Sequence, residues 1–323
     1  MTKNDLRIVF LGTPDFAVES LRRLVDDGYN IVGVVTMPDK PAGRGHRMLQ
    51  SPVKQFALER GLHLMQPPKL KAPEFIEELR SLQADLFIVI AFRMLPEAVW
   101  RMPALGTFNL HASLLPKYRG AAPINRAVMA GETRTGVTTF MLRHEIDTGD
   151  ILRQQAIEIG PDECVGSVHD RLMAIGADLT LDTVRRIIDG TLQPKPQREL
   201  TGDTEPTPAP KIFAGDMVIE WNRPAVEIHN LVRGLSPYPA ARTRMVAGAD
   251  AAPADTKIYV TRLTDRPASA APGTITLADG GTRMFVHTAD RLIEILELQP
   301  AGKRRMPAAD FLRGARLAEA RFL

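Results

Sequence analysis

The sequence predicts an α/β fold: a Rossmann-like, mostly parallel sheet with helices on both faces, followed by a small C-terminal β-barrel of OB-like (oligonucleotide-binding) kind. Three observations carry this. Apolar runs of strand length alternate with helical periodicities through the first half of the chain. A proline-dense stretch, Gln193–Pro210, then breaks the pattern. Beyond it the apolar runs are short and punctuated by Gly, Pro and Asp. The 323 residues suffice for two domains. The expected boundaries are 1–190 for the first domain, 191–211 for a linker and 212–323 for the second.

Taken in order, Arg7–Leu11 is an apolar run that stops at Gly12, as a buried parallel strand does. Phe16, Val18, Leu21, Leu24 and Val25 follow at helical spacing, and Asp15 suits an N-cap. Ile31–Val35, Leu86–Ile90, Thr107–His111 and Val137–Leu142 read as further strands. Pro52–Arg60, Pro73–Leu82, Pro96–Arg101 and Ala122–Ala130 read as helices, several with proline in the first turn, where its missing N–H does no harm. Ser167–Asp189 is the longest helical pattern, closed by Gly190. The prolines at 194, 196, 206, 208 and 210 cannot continue a helix or a central strand, so the stretch reads as an extended linker. Past them, Val218–Trp221, Lys257–Leu263, Gly273–Leu277, Arg283–His287 and Ile293–Leu298 are strand candidates. Ala225–Gly234 interrupts them as a helix, Ala247–Asp255 reads as a surface loop, and Asp310–Phe322 as a terminal helix.

Composition narrows the class. A 44% hydrophobic and 24% charged chain is ordinary for a globular protein. No apolar run approaches the roughly 18–20 residues needed to span a bilayer, and the start has no signal-peptide pattern, so a cytoplasmic protein is expected. Cys164 is the only cysteine, in a polar turn, which excludes an internal disulfide and a cysteine metal cage. The formal charge is +3. Residues 212–323 hold 15 Lys and Arg against 12 Asp and Glu, so the whole excess lies in the C-terminal third.

The chemistry-bearing residues come next. Gly12–Thr13–Pro14–Asp15 follows the first strand where a dinucleotide fold has Gly-x-Gly-x-x-Gly, but the later glycines are missing and that fingerprint fails. Asn109 and His111 end the strand Thr107–His111 and point to one face because side chains alternate. That face opens on the crevice at the strand's C-terminal end. An Asn amide can donate to a developing oxyanion, and a His can move a proton near neutral pH. Asp147, in Glu145–Ile146–Asp147–Thr148–Gly149–Asp150, supplies a carboxylate; on spacing alone it is equally a turn residue. No His/Asp/Glu cluster of metal-ligand spacing stands out, and no metal is expected.

Asn109–Leu110–His111, Ser113–Leu114–Leu115–Pro116, Tyr118–Arg119–Gly120, Pro123–Ile124 and Asp147–Thr148–Gly149, in this order, resemble the folate-dependent formyltransferase superfamily. Arg7–Phe16, Gln50–Pro52–Val53–Lys54 and the proline-linked C-terminal domain resemble the methionyl-tRNA formyltransferases in particular. The resemblance implies Asn109, His111 and Asp147 as the catalytic set. It implies a folate site lined by Ser113, Leu114, Leu115 and Pro116, with Ile90 and Phe92 in the segment that holds the pterin. The chain departs from the family pattern after Ala91, where Phe92–Arg93 stands in place of an aromatic-glycine pair. The implied reaction is attack of an amine on the formyl carbon of 10-formyltetrahydrofolate, with Asn109 and a protonated His111 stabilising the oxygen and Asp147 holding His111 and helping to remove the amine's proton.

The implied acceptor is methionyl-initiator tRNA. Lys40, Arg44 and Arg47 lie in the loop Met37–Gln50, which resembles a tRNA-contacting insertion, and Arg304 belongs to a basic C-terminal group that is equally a solvated surface. The alternative is a formyltransferase for a nucleotide-linked amino sugar, which would have little use for the basic loop. A non-catalytic RNA-binding protein is the reading from another class, and the Asn/His/Asp set argues against it. A monomer is expected, and no membrane partner.

Overall fold

The computed structural model describes residues 2–42, 47–201, 206–248, 251–315, 317 and 319–323. They divide into two compact units: Met1–Gly120, Gly136–Ile157 and His169–Pro208 in one, and Ala121–Thr135, Glu158–Val168 and Ala209–Leu323 in the other.

The elements of the first part of the chain are β1 (Arg7–Gly12), α1 (Asp15–Asp26), β2 (Asn30–Val35), β3 (Lys40–Ala42), β4 (Arg47–Leu49), α2 (Pro52–Glu59), β5 (Leu64–Met65), α3 (Pro73–Ser81), β6 (Leu86–Ile90), α4 (Glu97–Trp100), β7 (Thr107–His111) and β8 (Arg119–Gly120). After them come α5 (Pro123–Met129), β9 (Arg134–Met141), β10 (Ile151–Glu158), α6 (Val165–Asp189) and α7 (Arg198–Thr201). The main sheet has the order β10-β9-β7-β6-β1-β2-β5. Strands β5, β2, β1, β6 and β7 are parallel, and β9 is antiparallel to β7. The chain winds outward from β1 through β2 to β5, then returns to lay β6 on the other side of β1. This reversal is the topological switch point where open α/β sheets hold ligands at strand C-terminal ends. Strand β6 is buried along its whole length, which is why Leu-Phe-Ile-Val-Ile shows no polar alternation.

Pro52, Pro73 and Pro123 each open a helix, as expected. Asp15 is not the N-cap of α1. Pro14 holds that position, and Asp15 is the first helical residue, where its charge faces the helix dipole. The loop expected over Met37–Gln50 contains the antiparallel pair β3–β4.

The second unit completes the chain with β11 (Pro208–Ala209), α8 (Ala225–Leu235), β12 (Ala241–Val246), β13 (Ala254–Pro267), β14 (Ile275–Ala278), β15 (Arg283–His287), β16 (Arg291–Pro300), β17 (Met306–Pro307), α9 (Ala308–Gly314) and β18 (Arg321–Phe322). Its antiparallel sheet runs β14-β15-β16-β13-β12-β18, with β17 on β16. An isolated bridge between Thr274 and Arg321, and a bond from the Phe322 N–H to the Gly273 carbonyl (2.8 Å), join the two edges, so the sheet curls on itself. Trp221 stacks on Phe322 at 5.1 Å, and its indole N–H donates to the Thr243 hydroxyl at 3.0 Å. Two expectations fail here. Val218–Trp221 is no strand: a 3-10 turn, Ala214–Met217, leads into a single bridge at Val218, and Trp221 turns into the core. The terminal helix ends at Gly314, because Arg321 and Phe322 pair with β12 and close the sheet. No helix among the described residues is long and apolar enough to cross a membrane.

Candidate active site

Strand β7 places Asn109 and His111 on one side of the sheet, with Asn109 paired to Val89 of β6 and Phe140 of β9. Asn109 is half-buried, and its carboxamide makes no hydrogen bond within the described residues. His111 is buried, and its ring packs edge-on to Phe140 at 6.4 Å. Its Nε2 lies 2.8 Å from the Tyr118 carbonyl oxygen. A carbonyl only accepts, so Nε2 carries the proton and Nδ1 is left as the nitrogen that can exchange one. Nδ1 faces the Asp147 carboxylate, 3.9 Å from Oδ2. At that distance the two are neighbours without a hydrogen bond between them.

Asp147 sits in a tight turn with φ of +55°, a left-handed conformation that Asp tolerates better than most residues but that still costs of order 1 kcal/mol. Its Oδ2 accepts the backbone N–H of Gly120 at 2.9 Å. Gly120 itself has φ of +127°, which a side chain would resist. Two residues on, Gly149 runs against β9 so closely that a Cβ would lie 1.6 Å from the Met141 carbonyl oxygen. The glycine of the Asp-Thr-Gly sequence is thus a steric requirement of this turn.

The Ser113–Pro116 segment is locked from below. The Thr138 hydroxyl donates to the Ser113 carbonyl (2.6 Å), the Leu115 N–H donates to the Thr138 hydroxyl (3.2 Å), and the Gln154 amide donates to the Leu115 carbonyl (2.7 Å). Ser113 is fully buried and its hydroxyl donates to the Lys117 carbonyl at 2.7 Å, so it shapes the turn. Leu115 is core, packed with Phe140 and Ile151, while Leu114 and Pro116 are half-buried. Ile90 is fully buried at the end of β6. Phe92 is half-buried and carries the Arg93 guanidinium 5.4 Å from its ring. Arg93, whose pKa is lowered by burial, donates to the carbonyls of Pro67 (2.7 Å) and Pro68 (3.1 Å).

Lys40 lies on β3, whose base is tied by Asp39. Its carboxylate meets Lys54 at 2.6 Å and Gln66 at 2.9 Å, contacts that hold its pKa below the usual carboxylate value. Arg44 lies outside the described residues, and Arg47 is described only as part of β4. Arg304 belongs to the second unit and is exposed in the turn between β16 and β17. Asn109, His111 and Asp147 therefore come together.

Sequence reasoning missed Gln197. It comes from the proline-dense stretch, is 3% exposed, and bonds to the Asp147 turn and to Arg119. No local pattern marks it. A cavity of about 370 Å³ beside this turn is lined by Arg119, Arg143, Glu145, Asp150, Gln197 and Arg198 among others.

Residues 6–184 match the formyl transferase family, and residues 211–316 match the family of formyl transferase C-terminal domains. The chain is 56% identical over 321 residues to a methionyl-tRNA formyltransferase of Phocaeicola vulgatus, covering 99% of this chain and 98% of that protein. It is 52% identical over 320 residues to the methionyl-tRNA formyltransferase of Bacteroides fragilis, again covering 99% and 98%. Among solved structures, an N-formyltransferase from Helicobacter canadensis, in complex with folinic acid and dTDP-3-aminofucose, superposes with a TM-score of 0.67 at 18% identity, over 91% of this chain and 99% of that one. HypX from Aquifex aeolicus, in complex with tetrahydrofolic acid, gives a TM-score of 0.63 at 18% identity, over 96% and 48%. At that identity the structural likeness is one of fold.

Proposed function

Because the chain belongs to the formyltransferase family, we propose that it transfers the formyl group of 10-formyltetrahydrofolate to the free amino group of methionyl-initiator tRNA, as a monomer, for translation initiation in the cytoplasm. The observation that carries the reading is the meeting of Asn109, His111 and Asp147 at the C-terminal end of the sheet, in a chain about half identical, end to end, to relatives of that name.

In this reading the segment after β6 holds the formyl-bearing heterocycle. Residues 91–95 are irregular after the sharp turn at Ala91 (φ +48°), so their backbone N–H and C=O groups are not spent on a helix or strand. The carrier supplies an activated formyl carbon and a leaving nitrogen. As the amine adds, the formyl oxygen gains charge, and the free Asn109 carboxamide donates to it. Loss of one such donor costs about 10²–10³-fold. His111, held by Tyr118 through Nε2, exchanges a proton at Nδ1. Asp147, facing that nitrogen, draws the proton from the amine; the intermediate then collapses, the bond from the formyl carbon to the carrier nitrogen breaks, and that nitrogen leaves with the proton. Positioned proton transfer is worth about 10²–10⁴-fold. In this reading residues 1–190 carry the chemistry, 191–211 connect, and 212–323 hold tRNA. Lys40, Arg44, Arg47 and Arg304 meet its phosphates, while Ser113–Pro116, Ile90 and Phe92 border the folate.

The test compares methionyl-initiator with methionyl-elongator tRNA as formyl acceptors. Formylation of the initiator alone supports the proposal. A protein that binds folate but formylates neither, and instead formylates a nucleotide-linked amino sugar, overturns it.

A further inference from the structure

We infer that Gln197 is a positioning residue that holds Asp147 in its working orientation, an inference that rests on the catalytic reading of Asp147 given above. Every hydrogen-bonding position of its carboxamide is used. Nε2 donates to the carbonyls of Asp147 and Gly149, both at 2.8 Å. Oε1 accepts from Arg119 Nη2 at 2.7 Å and Nε at 3.1 Å. Carbonyls only accept and a guanidinium only donates, so the amide fits in one orientation.

These bonds close a ring. Arg119 is followed by Gly120, whose N–H holds the Asp147 carboxylate, and Arg119 itself grips Gln197, which holds the Asp147 backbone. Carboxylate and main chain of one residue are thus tied to a single rigid patch. The segment that delivers Gln197 is itself anchored: Lys195 and Ile151 exchange two backbone bonds of 2.8 Å at the start of β10. Asp147 needs this support, because its left-handed backbone would otherwise relax and carry the carboxylate away from His111. Gln197 touches no reacting group in this arrangement, so its effect passes through Asp147.

Gln197→Glu keeps an acceptor for Arg119 but sets a carboxylate oxygen against two carbonyls. The experiment measures kcat and KM for the parent, Gln197→Glu, Asp147→Asn and the double variant, with single-turnover runs for the slow ones. The expected result is a loss of about 10- to 100-fold in kcat for Gln197→Glu, as a displacement near 1 Å produces, with both KM values within about twofold. In the Asp147→Asn background the same change costs nothing further, since coupled residues are not additive. Should the glutamate prevent folding, Gln197→Met, of similar shape and without charge, gives the same pattern. Equal losses in both backgrounds, or undiminished kcat, overturn the inference. Undiminished turnover in Asp147→Asn alone overturns instead the catalytic reading beneath it.

Discussion

In Gly149→Ala the added Cβ would lie 1.6 Å from the Met141 carbonyl oxygen and 2.7 Å from its carbon. A carbon–oxygen contact relaxes only near roughly 3.3 Å, so the backbone has to give by about 1.7 Å. The neighbouring atoms are main chain of β9, which is fixed in the sheet, so the movement falls on the Asp147 turn. Because a misplacement of about 1 Å costs on the order of 10²-fold in rate, kcat should fall at least about 100-fold. Forced overpacking should also take about 1–3 kcal/mol from stability. Gly61→Ala is the control. Its φ of +63° carries a backbone cost of about 1–2 kcal/mol, but no atom lies within 4 Å of the new methyl. It should lower the melting temperature and leave kcat alone. Formyl transfer under saturating substrates, with thermal melts of both variants, makes the comparison. A Gly149→Ala enzyme turning over within a fewfold of the parent would refute the claim that this close approach sets the position of Asp147.

Three further outcomes follow from the geometry. Asn109→Ala should lose about 10²–10³-fold and His111→Ala about 10²–10⁴-fold in turnover, with initiator tRNA affinity unchanged by filter binding; a parallel loss of affinity would mean that these side chains hold the acceptor. Glu294 is buried and takes two bonds from Arg283, at 2.8 and 2.9 Å, which hold its pKa below the ordinary 4.5. Its contribution is therefore complete above that value and is lost as pH falls through the depressed folded-state pKa. Glu294→Gln should flatten the fall in stability on acidification, and denaturation curves that stay parallel to the parent's would refute this. Lys40→Ala and Arg304→Ala should each reduce the slope of log affinity for tRNA against log salt by about 1, and an unchanged slope removes that residue from the phosphate-contacting set.

Much of this was legible in the sequence because burial on both faces leaves an unmistakable apolar run. Leu86–Ile90 and Thr107–His111 fall where expected to the residue, and Asn109 and His111 with them. Strand β10 was missed since Arg153, Gln154 and Gln155 are three polar residues in succession and mask its periodicity. Strand β12 alternates Ala, Arg, Thr, Arg, Met, and its arginines hid a pattern whose alternate members are buried. The end of the chain misled for a different reason. Its helical spacing is real, but the open edge of a curled sheet claims Arg321 and Phe322 for pairing. Gln197 left no local signal at all, since its partners lie 50 and 78 residues away.

The Trp221–Phe322 stack has a spectroscopic use. The chain has two tryptophans: Trp221 in the second unit, face to face with Phe322 and hydrogen-bonded to Thr243, and Trp100 in the first, half-buried with the Arg101 guanidinium 5.1 Å from its ring. Their surroundings differ in polarity and in neighbouring charge, so the two indoles emit from distinct environments. Each unit thus carries its own optical reporter, and single-tryptophan variants would let the melting of one be followed while the other stays dark.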